Sequence, residues 1–382
     1  MRGRILFNGN HSSVSGLLDT LGPFVRGAAG GAPPRVLLVT AAWGPGEFGE
    51  GGVRAALNAA GVPSTWRGGF DQNIRNLCAW HAWKGWLGRH PEVAPLAAAA
   101  AEVEAATRDL YVEKTHFYAA RIRRHCAAAR RRVPGFSLGR LSTAPRDPVV
   151  PEAVRDPGVL FGRALVRELQ GDLGDLILHD DRMLAALGEA ESWLPARAGL
   201  RFDADWLAER ARLTALILSS DVIFLFGGEP GELLGALRFF DLGPVLREQL
   251  RRGATFVSIS AGSLTLCERM IIYNDFNPDP DKREFRLFDR GLGLVGGLQL
   301  LPHCMDRIHT DDPDNLAYLA RRFSAQLCAG LNEESFLLVD FAAGVARSVG
   351  KGDGVYVFGR DGVKRRYDAG EVVPMHFDGA VE

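Results

Sequence analysis

Apolar runs that alternate with helical segments between residues 222 and 270 constrain the fold most. Val222–Phe226 has the composition of a buried strand, and a helical pattern follows over residues 232–252. Residues 254–259 form the next strand, and a second helical pattern covers residues 261–270. Such alternation is typical of a parallel sheet with helices on both faces. The predicted fold class is therefore α/β, with a doubly wound, mostly parallel sheet.

The rest of the chain divides into two kinds of segment. Residues 1–72 show the same alternation more weakly, with short apolar runs at Ile5–Phe7 and Val36–Thr40. Over residues 73–212 strand signals nearly vanish, and Ala, Leu, Arg and Glu dominate. We therefore predict one α/β domain built from residues 1–72 and 213–382, interrupted by a helical insertion subdomain over residues 73–212.

The C-terminal part adds shorter elements to the α/β domain. Leu298–Leu301 and Ser335–Asp340 have the composition of strands, and a helix is predicted near residues 314–327. Two further strands, Val345–Val349 and Val355–Phe358, are separated by a Gly-rich stretch. This pattern predicts that the last two strands pair with each other as a hairpin at the sheet edge.

Composition and charge bear on the partners and the compartment of the protein. The chain has 382 residues, 24% of them charged, with a formal net charge of −1, so charge gives no argument for a nucleic acid or an acidic membrane as partner. The five cysteines are scattered and include no CxxC pair, which favours free thiols in a reducing compartment. The first residues lack the apolar stretch of a signal peptide, and no apolar run reaches membrane-spanning length, so we expect neither a signal peptide nor a membrane span. We expect a cytoplasmic protein.

A serine stands where an apolar strand gives way to a helix. The run Phe256–Ile259 stops at Ser260, and the small residues Ala261 and Gly262 follow. This sequence predicts a sharp strand-to-helix turn that exposes the hydroxyl beside a free N–H at the helix N-terminus. The alternative is that Ser260 merely caps the helix.

Two further strand ends carry groups that a serine nucleophile needs. Gly227 and Gly228 follow one strand and could bring backbone N–H groups close to a substrate oxygen. His303 follows the run Leu300–Pro302, and histidine is the usual base for a serine. Because ligands bind beyond the carboxyl ends of parallel strands, these groups are candidates for one site.

Five segments in this order resemble the aspartyl dipeptidase (dipeptidase E) and cyanophycinase family of serine peptidases. They are Phe226–Leu234, Ser258–Ser263, Asn274–Asp275, Gly293–His303 and Gly330–Ser335, with Asn332 in place of the family's proline. The resemblance implies a class I glutamine amidotransferase-like fold in which a serine replaces the amidotransferase cysteine. The segment over residues 73–212 is longer than the family's compact domain needs.

The resemblance also implies a role for individual residues. Ser260 would be the nucleophile, His303 the general base and acid, and Asp275 the group that orients the imidazole. The N–H groups of Gly228 and Ala261 would form the oxyanion hole. The substrate-binding positions would be Gly227, Glu229, Ser263 and Glu333. Asp279, Asp281 and Asp289 remain alternatives to Asp275, and the family also contains enzymes with a glutamate in that role.

The predicted function is a serine peptidase or amidase that hydrolyses a small peptide or isopeptide bond, aspartyl bonds included, through an acyl-enzyme. An aspartyl substrate needs a basic partner, and the candidates are Arg269, Lys282, Arg283 and Arg307. An α/β-hydrolase fits less well because the elbow lacks G-x-S-x-G. A second class of function is a non-catalytic amidotransferase-like binding or scaffold protein that acts through the helical insertion.

The remaining patterns predict no cofactor and no metal, and they leave homo-oligomer formation open. His303, Cys304 and His309 lack a recognisable metal-ligand spacing. The basic run Arg121–Arg132 reads as a solvated helix face rather than a nucleic-acid site, because few aromatic residues interleave it. The tryptophans at positions 80, 83 and 86 indicate a packed core or a subunit interface.

Overall fold

A computed structural model of the chain describes residues 1–10, 13–28, 33–68, 70–133, 135–141, 157–276, 287–323 and 326–375. In these ranges the helices are α1 (Val14–Gly27), α2 (Gly51–Ala59), α3 (Ala79–Arg89), α4 (Ala94–Arg132), α5 (Pro157–Arg197), α6 (Ala204–Leu218), α7 (Pro230–Phe239), α8 (Gly243–Arg252), α9 (Ala261–Leu266), α10 (Cys304–Arg307) and α11 (Pro313–Arg322). Short 3₁₀ helices cover Ala41–Gly46, Leu138–Arg140 and Leu200–Phe202.

The strands are β1 (Arg4–Asn8), β2 (Val36–Val39), β3 (Trp66–Arg67), β4 (Phe70–Asp71), β5 (Ile74–Asn76), β6 (Val222–Leu225), β7 (Thr255–Ile259), β8 (Arg269–Ile272), β9 (Leu287–Arg290), β10 (Leu298–Pro302), β11 (Leu327–Leu331), β12 (Ser335–Asp340), β13 (Val345–Gly350), β14 (Val355–Phe358), β15 (Lys364–Tyr367) and β16 (Val372–Val373). The chain is thus a mixed α/β protein, as the sequence predicted.

A large sheet forms the centre of the fold. Among the described residues it has eight strands in the order β16-β13-β12-β1-β7-β6-β2-β5. The five strands β1, β7, β6, β2 and β5 run parallel to one another. On the other side of β1, the strands β12, β13 and β16 extend the sheet in antiparallel pairing. Parallel strands end at the same edge, so the residues that follow β6 and β7 meet there.

Each face of the central sheet has its own apolar core, because successive strand residues point to opposite sides. Leu38 and Val257 face a core shared with α1 and α2. Leu37 and Phe256 face a second core shared with α3, α6, α7 and α8. Strands buried on both faces read as continuous apolar runs, which is the pattern of β6.

A second sheet stands beside the central one, and it corrects the predicted edge hairpin. It consists of β10, β11, β14 and β15 in the described part of the chain. β13 pairs with β12 and β16 in the central sheet, whereas β14 pairs with β11 and β15. Gly350 and Gly354 have φ angles of 113° and 88°, which let the chain pass from one sheet to the other.

The segment predicted to be a helical insertion is mostly helical. α4 and α5 contain 39 and 41 residues and pack antiparallel as a hairpin. However, β5 pairs with β2 in the central sheet, and α6 packs against α8, so the ends of residues 73–212 belong to the α/β core. Among the described residues, no helix combines the length and the apolar character that crossing a bilayer requires.

A buried ion pair fastens the helical hairpin to the α/β core. Arg322 of α11 donates from Nε to Asp180 Oδ2 of α5 at 2.7 Å, and both side chains are fully excluded from solvent. The Tyr111 hydroxyl of α4 donates to the same carboxylate at 2.7 Å and accepts from Arg322 Nη2 at 2.8 Å. Tyr318 accepts another Arg322 N–H at 2.9 Å. Each charge therefore has partners that offset its loss of hydration.

Replacing Arg322 by methionine should lower the free energy of unfolding by about 3–5 kcal/mol, because Asp180 would stay buried without a cation. Urea denaturation followed by circular dichroism measures this change. The control is Arg252→Met, which breaks a solvent-exposed pair with Glu248 and should cost about 0.5 kcal/mol or less. Equal effects of the two substitutions would contradict the role given to the buried cluster.

Candidate active site

Ser260 lies at a one-residue turn between β7 and α9. β7 ends at Ile259 and α9 begins at Ala261. The φ and ψ angles of Ser260 are 49° and −112°, a backbone conformation that a residue with a side chain rarely adopts. Such strain costs on the order of 1–3 kcal/mol, and it persists only where the surroundings enforce it. The turn places Ser260 just beyond the end of β7.

The main chain of Asn8, at the end of β1, enforces this turn. Its carbonyl oxygen accepts from the Ser260 N–H at 3.0 Å and from the Ser263 hydroxyl at 2.9 Å. The Asn8 N–H in turn donates to Ser263 Oγ at 3.2 Å. Ser263, which the resemblance implied as a substrate-binding position, is fully buried and supports the turn from below.

His303 lies beside Ser260, although it comes from the second sheet. Its Nε2 is 3.3 Å from Ser260 Oγ, within hydrogen-bond reach for a base and its nucleophile. His303 follows β10, is half-buried and has a left-handed backbone with φ 55° and ψ 39°. The structure therefore brings together the two residues that the sequence placed at separate strand ends.

Asn332 holds the turn that carries His303. Its Oδ1 accepts from the Met305 N–H at 3.0 Å, at the start of α10. Its Nδ2 donates to Asp353 Oδ2 at 3.0 Å, and Asp353 also accepts from the Tyr356 hydroxyl at 3.2 Å. Sequence reasoning assigned Asn332 no role. The one signal was its departure from the family's proline.

The surroundings of His303 favour the neutral imidazole. Burial lowers its pKa from 6.5 to about 4, and the positive charge of Arg307 acts in the same direction. The carboxylates of Asp306 and Glu333 oppose this shift. His303 is thus unprotonated at neutral pH and can accept a proton.

The structure does not bring Asp275 to His303. Asp275 Oδ2 accepts from the His309 N–H at 2.8 Å and from Asn315 Nδ2 at 2.9 Å. Burial raises the pKa of Asp275, although these two bonds act against the rise. In the described part of the chain, no carboxylate forms a hydrogen bond or an ion pair with the His303 ring.

Glu333 and His303 follow neighbouring parallel strands at the same edge of the second sheet. β10 and β11 are parallel, and Pro302 lies opposite Leu331 in their register. His303 and Glu333 therefore both extend beyond the carboxyl ends of neighbouring strands. Glu333 is exposed, and its backbone bridges to Asn10 beyond β1.

Two backbone N–H groups close in sequence to neighbouring strand ends form no hydrogen bond to an acceptor among the described residues. They belong to Ala261, the first residue of α9, and to Gly228, which has a φ of 142°. Gly227 lies directly against the turn, since a Cβ added to it would come within 3.0 Å of the Ser260 Cβ. Backbone N–H groups without an acceptor beside a serine hydroxyl are one requirement of an oxyanion hole.

The other candidate residues are distributed around this site. Glu229 is exposed, and its N–H donates to the Ala42 carbonyl at 2.9 Å. Asp289 is bound by Arg108, and Arg269 forms an ion pair with Asp181. Asp279, Asp281, Lys282 and Arg283 lie outside the described residues. No group of His, Cys, Asp and Glu suited to a metal ion occurs in the described ranges.

Comparison with known proteins finds one family match, and it covers the segment that contains Ser260 and His303. Residues 205–342 match Peptidase family S51. This segment is a little over a third of the chain, and it contains Ser260, His303 and Glu333. The match supports a serine peptidase function and confirms, for this segment, the resemblance to the dipeptidase E and cyanophycinase family.

The chain was also compared with curated proteins and with solved structures. No curated protein matches the chain. Among solved structures, the crystal structure of a peptidase from an acI-B1 Actinobacterium is similar, with a TM-score of 0.47 and 12% sequence identity. That alignment covers 98% of this chain and 97% of the other.

We expect the ring of His303 to titrate near pH 4 in NMR spectra, and His303→Gln to remove the signal and so assign it. Arg307→Met should raise the midpoint, because a positive charge near the imidazolium is lost. The pKa of His303 is lower in the folded state than in the unfolded state. The stability that His303 contributes is therefore present above about pH 6.5 and is lost as the pH falls toward about 4. A wild-type midpoint near the ordinary value of 6.5 would contradict the buried, neutral imidazole.

Proposed function

We propose that this protein is a serine peptidase of the dipeptidase E and cyanophycinase type, on a class I glutamine amidotransferase-like fold into which a helical segment is inserted. It hydrolyses a small peptide or isopeptide bond through an acyl-enzyme. The observation that carries the proposal is the 3.3 Å separation of Ser260 Oγ and His303 Nε2 at a strained strand-to-helix turn. The match to Peptidase family S51 supports it.

The proposed reaction begins with proton transfer. His303 Nε2 takes the hydroxyl proton as Ser260 Oγ attacks the substrate carbonyl carbon. The negative charge that develops on the carbonyl oxygen is met by the N–H groups of Gly228 and Ala261, and one such donor contributes about 3–4 kcal/mol to the lowering of the barrier. His303 then gives its proton to the leaving amine, and water releases the acyl group by the reverse sequence.

We further propose Glu333, rather than Asp275, as the carboxylate that orients His303. Glu333 opposes the lowering of the His303 pKa and extends from the strand next to β10. The Asp275 carboxylate already accepts from His309 and Asn315. Rotation of the exposed Glu333 side chain would let it accept from Nδ1 and fix the tautomer in which Nε2 is the base.

The scaffold alternative receives no support from the geometry of this site. A non-catalytic protein has no need for a hydroxyl and an imidazole within 3.5 Å at a strained turn. The two N–H groups without acceptors would likewise serve no purpose there. We therefore base the proposal on hydrolysis. Among the candidate basic partners for an aspartyl substrate, Arg307 is the described residue nearest in sequence to His303.

Ser260→Ala should abolish covalent labelling by a fluorophosphonate, because this probe attaches to an activated serine hydroxyl and displaces fluoride. Intact-mass spectrometry measures the adduct. The matched control is Ser192→Ala, which removes an exposed hydroxyl on α5 and should label like wild type. An adduct of undiminished yield on Ser260→Ala would overturn the proposed nucleophile.

Glu333→Gln should slow fluorophosphonate labelling by roughly 10²-fold or more, the scale on which removal of an orienting carboxylate acts. Asp275→Asn should stay within about threefold of wild type. The comparison is made on second-order rate constants at pH 7, with thermal unfolding of both variants measured alongside. The reverse order of effects would restore Asp275 to the orienting role.

A further inference from the structure

The loop after β2 packs directly against the Gly227–Gly228 turn. Trp43 donates from its indole Nε1 to the Gly227 carbonyl oxygen at 3.1 Å. The Ala42 carbonyl accepts from the Glu229 N–H at 2.9 Å. One side chain and one main-chain group thus hold the turn.

The contact with Trp43 sets the direction of the Gly228 N–H. The Gly227 carbonyl and the Gly228 N–H belong to one planar peptide unit, and in a trans peptide they point in opposite directions. An indole that fixes the carbonyl on one side therefore aims the N–H to the other side. Gly227 itself lies against the Ser260 Cβ, so this peptide unit borders the Ser260 turn.

Glycine alone would leave this peptide free to rotate. Gly228 has a φ of 142°, and a Cβ added there would come within 2.5 Å of the Ala42 carbonyl oxygen. The position therefore needs glycine, whose backbone visits many conformations at little cost. An external hydrogen bond is the physical means of selecting one of them.

The loop that carries Trp43 is itself anchored in the core. Glu47, fully buried, accepts from the N–H groups of Trp80 and His81 at 3.1 and 2.9 Å, at the start of α3. Its own carbonyl accepts from Thr40 Oγ1 at 2.8 Å and from Asn76 Nδ2 at 2.9 Å. These bonds give Trp43 a rigid base.

We propose that Trp43 is a positioning residue of the oxyanion hole: its indole N–H holds the Gly227–Gly228 peptide in the orientation that aims the Gly228 N–H at the substrate oxygen. This rests on the proposed function. Trp43 also packs on Phe226, with ring centroids 5.3 Å apart. Trp43→Phe would keep an aromatic ring there and remove the hydrogen-bond donor.

The test compares Trp43→Phe with Trp206→Phe by fluorophosphonate inactivation. Trp206 also donates its indole N–H to a backbone carbonyl, that of Phe239, at 3.0 Å, but on the far end of α7. We expect Trp43→Phe to lower the maximal inactivation rate about tenfold, a fraction of the loss on removing a whole oxyanion donor. The probe concentration at half-maximal rate should change less than about twofold, and Trp206→Phe should keep the wild-type rate.

A second measurement reads the peptide orientation without activity. In protein labelled with ¹³C-carbonyl, ¹⁵N-glycine, carbonyl–nitrogen correlation spectra report only Gly–Gly peptides, which in this chain begin at residues 30, 51, 68, 227 and 296. Trp43→Phe should shift one peak, which Gly227→Ala removes, and Trp206→Phe should not. An unshifted peak would overturn the inference.

The outcomes separate the two proposals. If wild type labels at Ser260 and Trp43→Phe labels at the same rate, the positioning role fails while the hydrolase proposal stands. If wild type does not label at all, both fail. A slower maximal rate together with a shifted Gly227–Gly228 peak supports the positioning role.

Discussion

The strained backbone at Ser260 is the constraint on which the site depends. A residue with a side chain holds a φ of 49° only because neighbouring strands leave it no alternative. Asn8 at the end of β1 binds the turn from below. Gly262 lets β6 approach so closely that an added Cβ would come within 2.3 Å of the Leu225 carbonyl. The reactive geometry is therefore built on rigid parallel strands rather than on a loop, which fits a site that must meet a developing charge without rearrangement.

Around this turn, the groups of the site come from separate structural units. Ser260 belongs to the central sheet, and His303 belongs to the four-stranded sheet beside it. The junction between the sheets buries the imidazole and keeps it neutral, which is the state that a general base needs. Asn332 bonds to the turn that carries His303, and Trp43 bonds to the turn that carries Gly227 and Gly228. Supporting hydrogen bonds of this kind decide whether a site is aligned or merely present.

The helical hairpin of α4 and α5 extends this core in another direction. Its apolar side chains form one cluster with residues of the second sheet and α11. The buried pair of Arg322 and Asp180 joins the hairpin to α11. The pair and the hydroxyls of Tyr111 and Tyr318 form one buried hydrogen-bonded cluster that joins α4, α5 and α11. The hairpin is thus held in a defined position relative to the sheet that carries His303.

The sequence by itself determined the α/β class, the serine turn, the glycine pair and the histidine, because each depends on a local pattern: strand period, small residues and strand ends. Five segments between Phe226 and Ser335 also carried the resemblance to a peptidase family, and the match of residues 205–342 to Peptidase family S51 agrees with it. Only the tertiary structure decided that β13 and β14 lie in different sheets, that Ser263 is buried and that the Asp275 carboxylate bonds to His309 and Asn315. It alone disclosed Asn8, Trp43 and Asn332 as supports. Their roles arise from contacts between segments as far as 255 residues apart, and no local pattern encodes a pairing over that distance.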